Sequence, residues 1–534
     1  MFFGMRAVFL LISKKNINWL DKNYSIYYSF IFLFFVGNFQ FIWNFFSPAK
    51  FTKYAFVVFF ITALYLNLKN IPNWKNIRFF IICNSLIVST LGISTYGLKL
   101  HYDTGAYHLG HQSWILENKI VFGLNNINYF YSWAGLNEYL LSAFYKFNDY
   151  TYLHYPELIA FSTLFAFTLK KLINSKSLYD SILAQNIILF SFLDNFGYGG
   201  GGNGFIAILM IGKPSILYGV CSFFLIYNFF DMLNKNKFEN FDLIILIFLF
   251  TFSIQMRILG VYLLPLLIIY VYKFTKFRKL NILNLYKFFI PTSILGLLWL
   301  IKNILITGCL VFPFNLTCFD KLPWFDQENV DHVNSINANW ELKYTLGQNI
   351  NTWFTFFIQN EKYFQIFFNF FLSLFLIYLF NKLLYKKAAL FNIKGKANKL
   401  VFILFFIFSI LFWMYTGSIY RYGFAIWLAI TSFLIIPSNE TETRYIKQNS
   451  ITKVFTAIFI FSILMTPRIS SYINFIGNPL SLPSITEPIK KNSSGYFYPD
   501  DNLCWSNLKC VLNNKEQLIN SGKILLWDTI EVNK

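Results

Sequence analysis

The chain has 534 residues, of which 56% are hydrophobic, 22% are aromatic and only 13% are charged. Soluble domains carry about a quarter charged residues, so this composition excludes an ordinary soluble fold. Lys and Arg outnumber Asp and Glu by 45 to 25, which gives a formal net charge of +20. In a soluble protein that excess indicates a nucleic-acid partner, whereas in a membrane protein it is typical of cytoplasmic loops.

Apolar stretches recur along the whole chain, and a helix needs about 17–25 residues to cross a bilayer. Because several are short, the sequence predicts an all-α polytopic membrane protein with about 11–13 transmembrane helices. The segment 1–12 is apolar but too short to span, and no small-residue cleavage site follows it, so we expect no cleaved signal peptide. It is either an interfacial segment or an artefact of start-codon choice. The expected spans are 24–46, 54–68, 79–98, 151–169, 178–196, 213–231, 241–256, 258–272, 288–307, 363–381, 400–416, 421–437 and 454–467.

Basic residues concentrate in alternate, short loops between these spans, and those loops hold 25 of the 45 Lys and Arg residues. The positive-inside rule places them and the N-terminus in the cytoplasm. The surplus charge then sets orientation, so we expect a lipid bilayer as the partner and no nucleic acid.

The same rule places three long segments outside: the first outer loop (99–150), the second outer loop (308–362) and the extracytoplasmic tail (468–534). Between them the sequence predicts N-terminal transmembrane helices, a transmembrane core and C-terminal transmembrane helices. These occupy 1–98, 151–307 and 363–467.

Four of the six cysteines fall in these outer segments as two local pairs. Cys309 and Cys318 share the second outer loop, and Cys504 and Cys510 share the tail. An oxidising compartment permits disulfides, so the arrangement favours two of them, with four unpaired thiols as the alternative.

Asp103 follows a predicted span directly and therefore lies at the membrane surface, where a carboxylate is costly unless it is solvated, paired or coordinating. His108, His111 and Trp114 recur at i, i+3 and i+6, along one side of a helix. Asp103 could act as a general base, or could bind a divalent metal together with both histidines. That donor set favours Mg²⁺ or Mn²⁺. Alternatively, Asp103 caps the following helix and the histidines decorate an interfacial surface.

The motif in this loop resembles a family of bacterial polytopic membrane proteins. The residues that carry the resemblance are 103–108 (DTGAYH), Trp114 and 122–126 (FGLNN). The family's pattern is roughly D-[TS]-x-x-Y-H, then a Trp, then V-P-G-L-x-N-L.

Two later segments extend the resemblance in the same order. Residues 307–313 with Trp324 are similar to the family's S-G-Y-x-x-Y-P segment and its following Trp, and 504–510 is similar to its C-W-x-x-L-P-C ending. The chain departs from the pattern at three positions, where the family has Pro, Tyr and Pro: Phe122, Cys309 and Lys509.

This layout is similar to that of the C-type (GT-C) integral-membrane glycosyltransferases. Those enzymes place an acidic residue at the membrane edge of their first large outer loop and use polyprenyl-phosphate sugars as donors. The similarity implies a GT-C-like fold in the bacterial inner membrane, with Asp103 as the catalytic residue. In those enzymes the loop follows the first span, whereas two more spans precede it here.

A polyprenyl-phosphate donor needs cations at the outer headgroup level. Arg257 interrupts an apolar run at the outer tip of a hairpin, and Arg421 begins a span from the same side. Because guanidinium groups suit bidentate phosphate recognition, we predict that both bind substrate, with snorkelling to lipid headgroups as the alternative. Lys302 and Trp133 are expected to be ordinary interfacial anchors.

Two further residues complete the predicted substrate site. Trp114 lies on the same helix side as the histidines, and Asp194 ends a span before the glycine run 197–204. Such a run allows close backbone approach to a ligand, or is simply a flexible outer loop.

The leading hypothesis is a membrane glycosyltransferase that moves a sugar from a polyprenyl phosphate to an outer-face glycan or lipid acceptor in cell-envelope assembly. A polysaccharide repeat-unit polymerase also needs many spans and outer arginines, but has no specific need for an Asp at the start of the first outer loop. A transporter usually buries ionisable residues at mid-membrane, and the predicted spans contain few.

Overall fold

The computed structural model describes the chain in sections, most of them helical. These are residues 2–12, 21, 24–70, 74–93, 103–133, 135–145, 150–173, 178–196, 215–235, 238–278, 285–344, 355, 359, 361–384, 396–416, 420–433, 454–458, 473, 476, 490–491, 497–498, 519–524 and 527–532.

Sixteen α-helices of the described residues form the body of the protein. They are α1 (Phe2–Ile12), α2 (Tyr28–Asn44), α3 (Thr52–Lys69), α4 (Trp74–Ile93), α5 (Leu109–Glu117), α6 (Leu136–Ser142), α7 (Tyr155–Ile173), α8 (Leu178–Phe196), α9 (Ser215–Lys235), α10 (Asn240–Met256), α11 (Leu264–Arg278), α12 (Tyr286–Thr307), α13 (Gln327–Tyr344), α14 (Glu361–Leu384), α15 (Lys396–Thr416) and α16 (Tyr420–Phe433).

Short 3₁₀ turns connect several of these helices, and the tail adds the only strands among the described residues. The turns are Ser25–Tyr27, Ala49–Phe51, Leu124–Asn126, Tyr129–Trp133, Tyr150–His154, Ile258–Leu263 and Asn315–Thr317. The strands form two antiparallel hairpins, β1 (Lys490–Lys491) with β2 (Phe497–Tyr498) and β3 (Ile519–Ile524) with β4 (Trp527–Val532).

The helices confirm a polytopic, mainly α-helical architecture. Six described helical segments are long and apolar enough to cross a membrane: Ser25–Asn44, Ala49–Lys69, Ser215–Asn234, Ile258–Arg278, Tyr286–Thr307 and Ala397–Thr416. The other predicted spans also contain helix, although only 454–458 of the last one is described. Apolar helices in this number indicate a lipid bilayer as the environment.

Burial separates a central helix from peripheral ones. In the most apolar stretch of α9, 94% of the residues are buried inside the protein. The buried share is only 17% in the segment that contains α3 and 11% in α12. A helix that is apolar on all sides belongs in a protein core or faces lipid. The exposed apolar surfaces of α3 and α12 are therefore the lipid-facing side of the bundle.

The first helix packs into this bundle rather than lying at an interface as expected. Arg6 is 1% exposed, and its Nε donates to Asp21 Oδ2 at 2.9 Å. Its Nη1 donates to Asn67 Oδ1 of α3, and Tyr28 of α2 donates to the other Asp21 oxygen. A buried ion pair needs this kind of additional hydrogen bonding, which here joins the first three helices.

The second outer loop begins with a disulfide-closed turn. Cys309 and Cys318 form a disulfide, which confirms the first of the two predicted pairs. Cys504 and Cys510 lie outside the described residues. After the turn, Trp324 and Phe325 are buried and α13 follows.

The first outer loop, the second outer loop and the tail meet at Asn126. Its Nδ2 donates to the carbonyl oxygens of Trp324 and Ile530 at 3.0 and 2.9 Å, and its Oδ1 accepts from Asn329 Nδ2 at 2.9 Å. Backbone bonds between Phe122 and strand β4 run beside these contacts. Residues 122–126, Trp324, Asn329 and strand β4 thus form one outer assembly, which includes the first two segments of the sequence resemblance, whereas the third, 504–510, lies outside the described residues.

Gly123 makes this close approach possible. Its φ of +71° lies in the left-handed region that favours glycine. A Cβ at this position would lie 2.3 Å from the carbonyl oxygen of Ile530 and 2.6 Å from the Cβ of Trp324. A larger residue would therefore push the tail and the second outer loop away.

Substitution of Asn126 by Ala should loosen this assembly. Each of its buried hydrogen bonds contributes about 1 kcal/mol, so we expect the free energy of unfolding to fall by about 2–3 kcal/mol. The measurement is thermal and denaturant unfolding of the detergent-solubilised protein, with limited proteolysis of the tail.

Asn125 provides the matched control. It is also buried, but its amide makes no hydrogen bond within the described part of the chain. Asn125→Ala should therefore cost much less than Asn126→Ala, and an equal loss in both variants would contradict the role assigned to Asn126.

Candidate functional site

The segment after Asp103 folds as a buried helical unit. Residues Thr104–His108 form one turn of π-helix, which continues into α5. Turns of this type add a residue, change which side chains share a face, and are frequent at functional sites. The side chains from Leu109 to Leu116 are all buried, so the polar ones need partners inside the protein.

Asp103 stands immediately before the π-helical turn. Its backbone is already helical, and its carboxylate makes no capping hydrogen bond with that turn. Instead, the hydroxyl of Tyr107 donates to Asp103 Oδ2 at 3.3 Å. The capping alternative is therefore not what the described residues show, and the carboxylate is held by a side chain one turn further on.

The Tyr107 hydroxyl is also affected by the charge of Arg257. Burial raises the pKa of its hydroxyl, and the carboxylates of Asp103 and Glu138 raise the pKa further. Tyr422 acts in the same direction, whereas Arg257 acts in the opposite one. Charges have such effects only on groups close to them. Arg257 at the end of α10 and Tyr422 at the start of α16 therefore lie within electrostatic range of this hydroxyl of the first outer loop.

Arg257 lies at a junction of three helices. It follows α10 directly, and its guanidinium lies 4.3 Å from the ring centroid of Tyr422 in α16. Its Nη2 donates to Ser215 Oγ, at the first residue of α9, at 3.4 Å. Stacking on an aromatic ring fixes the plane of the guanidinium and leaves its edges for other partners.

The charge of Arg257 is not neutralised by a direct ion pair. Its Nε is buried without a hydrogen-bond partner, and it forms no salt bridge within the described chain. Glu157 is near enough to interact with it electrostatically, but that carboxylate accepts the backbone N–H of Leu217 at 2.9 Å. A fixed, partly exposed guanidinium with a free donor is suited to an anionic ligand.

Glu138 organises the buried side of the same loop. His108 Nδ1 faces Glu138 Oε1 at 2.5 Å, and Gln112 Nε2 donates to the other carboxylate oxygen at 3.1 Å. Gln112 Oε1 in turn accepts the hydroxyl of Tyr152 at 2.7 Å. This network joins the π-helical turn, α5, α6 and the Tyr150–His154 turn.

Lys302 and His111 border this network. Lys302 is 1% exposed, interacts electrostatically with Glu138 and lies over the ring of Trp299 at 4.0 Å, so the expectation that it anchors the interface is wrong. His111 stacks on Tyr131 with ring centroids 5.1 Å apart. Burial holds the pKa of His111 well below its usual range, and Lys302 and His108 lower it further, which keeps this imidazole neutral.

The two predicted metal ligands therefore have other contacts. His108 uses Nδ1 toward Glu138, while its Nε2 is buried without a hydrogen-bond partner. Across the described residues, no group of three or more His, Cys, Asp or Glu side chains is arranged to hold a metal ion. The involvement of Mg²⁺ or Mn²⁺ stays a prediction.

The remaining predicted substrate residues are placed unequally. Trp114 is 5% exposed and packs with Leu124, Tyr131 and other apolar residues beneath the outer assembly. Together with His111 it lines a small cavity with room for a single water molecule. The side chains of Asp194 and Arg421 lie outside the described residues.

Sequence reasoning missed the residue that contributes most to the network. Glu138 lies in the apolar run LNEYLL, where a single carboxylate must be paired or solvated. That signal marks it as unusual, but its partner His108 is 30 residues away and follows only from the fold. Tyr422 is adjacent to the predicted Arg421, and no sequence pattern indicates its contact with Arg257.

The fold and site define a helical membrane protein with a carboxylate, a histidine and a guanidinium collected beside its first outer loop. The chain belongs to the family described as Domain of unknown function (DUF8201), whose sequence profile matches residues 2–428. No curated protein and no solved structure shows significant similarity to it.

Replacement of Glu138 by Ala should destabilise the protein strongly. It would leave His108 Nδ1 and Gln112 Nε2 unpaired in a buried site, which costs about 3–5 kcal/mol of unfolding free energy. Unfolding of the detergent-solubilised protein, followed by tryptophan fluorescence, measures this loss.

The exposed pair of Lys50 and Glu117 gives the control for that measurement. Both side chains are well exposed, at 42% and 52%, so Glu117→Ala should cost below about 1 kcal/mol. If Glu138→Ala unfolds under the same conditions as Glu117→Ala, the organising role of Glu138 is wrong.

Proposed function

We propose that this protein is a membrane glycosyltransferase that transfers a sugar from a polyprenyl-phosphate donor to an acceptor on the outer face of the bacterial inner membrane. The observation that carries the proposal is the position of Tyr107, whose hydroxyl donates to the carboxylate of Asp103 and lies within electrostatic range of the Arg257 guanidinium. A base and a phosphate-binding cation are the two groups that this reaction requires.

The reaction follows from these two groups as an inverting displacement. Asp103 accepts the proton of an acceptor hydroxyl, whose oxygen forms a bond to the anomeric carbon of the donor sugar. The bond between that carbon and the phosphate oxygen breaks, and the polyprenyl phosphate leaves with the electron pair. Arg257 stabilises the charge that develops on this phosphate, because a fixed guanidinium is best placed to stabilise charge that grows during the reaction.

The surroundings of Arg257 support a lipid-linked donor in particular. The guanidinium lies among the ends of membrane helices α9, α10 and α16 and not on a separate domain. A phosphate bound there would have its polyprenyl chain beside apolar helix surfaces. In this proposal Arg421, which is next to Tyr422, and Asp194 contribute to the same substrate site. The proposal also places the N-terminus in the cytoplasm and the tail outside.

A divalent metal is not needed for any of these steps. In the described structure no set of three metal ligands is formed by Asp103, His108 and His111, so the proposed reaction has no step that uses Mg²⁺ or Mn²⁺. Asp103 accepts a proton and Arg257 binds an anion with the contacts already present.

Asp103→Asn tests the proposal, because it keeps the size of the side chain and removes its basicity. We expect transfer of radiolabelled sugar from polyprenyl phosphate to glycan, measured in membrane vesicles, to fall at least about a hundredfold at normal membrane levels. Asp320→Asn, an exposed carboxylate on the second outer loop, is the matched control and should keep full activity.

Full transfer by Asp103→Asn would contradict the catalytic role of this residue. A repeat-unit polymerase gives a different outcome: the sugar composition of the glycan is unchanged in Arg257→Gln membranes and only its chain length falls. If the protein is the proposed glycosyltransferase, the glycan from Arg257→Gln membranes instead lacks the one sugar that this enzyme transfers.

A further inference from the structure

A continuous set of aromatic side chains leads away from Asp103. The Tyr107 ring that binds Asp103 contacts Phe130, with centroids 5.1 Å apart. Phe130 contacts both Tyr129 at 4.4 Å and Trp133 at 4.8 Å, and Trp133 is 41% exposed. We name the rings of Tyr107, Tyr129, Phe130 and Trp133 the aromatic platform.

The 3₁₀ turn Tyr129–Trp133, which carries three of these rings, is held in place by buried contacts. The hydroxyl of Tyr131 fits against Gly110, where a Cβ would lie 2.4 Å away, and its ring stacks on His111. Asn128 donates from Nδ2 to the carbonyl oxygen of Ala106 and accepts the N–H of Phe130. The platform is thus presented by a buried anchor, so its rings are held in position before any ligand binds.

One side of the platform faces water and not lipid. Tyr129 makes an edge contact with His332 of α13, with ring centroids 4.7 Å apart. His332 is exposed, as are Asp331, Asn334 and Ser335 on the same helix. A helix with so many exposed polar residues does not lie in the hydrocarbon layer. The platform therefore lies between the two outer loops at a hydrated surface.

We propose that the aromatic platform is a saccharide-binding subsite that holds the glycan acceptor next to Asp103, an inference that rests on the proposed function. Sugar rings present faces of C–H groups that pack on aromatic rings, and hydroxyls at their edges. Tyr and Trp match both features, because each combines a large apolar ring with a polar group. Stacking on Trp133 and Phe130 would bring the terminal sugar hydroxyl toward the Asp103 carboxylate.

Two features favour a saccharide over a lipid headgroup. These four rings contact one another in a path that ends at the proposed base, which an interfacial anchor does not require. The polar side chains of α13 along the open edge supply donors and acceptors that sugar hydroxyls can use.

The experiment measures saccharide binding by the full-length protein in nanodiscs. The probes are chitotetraose, cellotetraose and mannotetraose, titrated by ligand-observed NMR. At least one should bind the wild type, and Trp133→Ala should weaken that binding at least tenfold. Trp133→Phe, which keeps an aromatic ring, should remain within about threefold of the wild type.

Phe319→Ala is the matched control, because Phe319 is similarly exposed at 45% on the second outer loop but has no ring contact with the platform. It should bind like the wild type. If no probe binds the wild type, or if Trp133→Ala binds as well as the wild type, the platform is not a saccharide site and Trp133 is an interfacial anchor.

Asp103→Asn separates this inference from the proposed function. The variant should bind the tetrasaccharides normally while it loses transfer. Normal sugar transfer by Asp103→Asn would contradict the enzymatic proposal, but it would leave a saccharide-binding result for Trp133 valid. If Asp103→Asn loses transfer and Trp133→Ala still binds the saccharide normally, only the role of the aromatic platform is wrong.

Discussion

The buried carboxylate of Glu138 is the constraint on which the first outer loop depends. It faces His108 at 2.5 Å, accepts from Gln112 and interacts with Lys302 of α12. Because a buried charge is costly without partners, these groups can be satisfied only if the π-helical turn, α5, α6 and α12 stand in one arrangement. That arrangement places Tyr107, which binds Asp103, within electrostatic range of Arg257.

Features set by local sequence were predictable. The length of the apolar stretches predicted the helices, and the short spacing of two cysteines predicted the Cys309–Cys318 disulfide. Asp103 and Arg257 were predicted as site residues because a charge at a membrane edge is unusual in itself, and their roles stay predictions. The remainder depends on contacts between distant positions: Asn126 binds Ile530 across 404 residues, and no periodicity or spacing specifies that pair. Lys302 was misjudged because its burial, its position over the ring of Trp299 and its electrostatic interaction with Glu138 arise only in the folded protein.

The outer assembly at Asn126 gives a physical meaning to the first two resembling segments. They are separated along the chain, yet the hydrogen bonds of Asn126 and the close contacts at Gly123 join both of them to strand β4 of the tail. The assembly packs with the cluster that contains Trp114, and this cluster also includes Ile306, so it holds the loop against α12. The net charge of +20 says little about this site, where the proposal depends on Arg257 together with Arg421.

The central claim is that Arg257 and Asp103 divide anion binding and proton transfer between them at one site. It is tested most directly by the affinity for a synthetic polyprenyl phosphate in nanodiscs, compared among the wild type, Arg257→Gln and Asp103→Asn. The account predicts that Arg257→Gln weakens binding at least tenfold, since it loses a charge-assisted contact, while Asp103→Asn binds like the wild type. Equal affinity of Arg257→Gln and the wild type would contradict it.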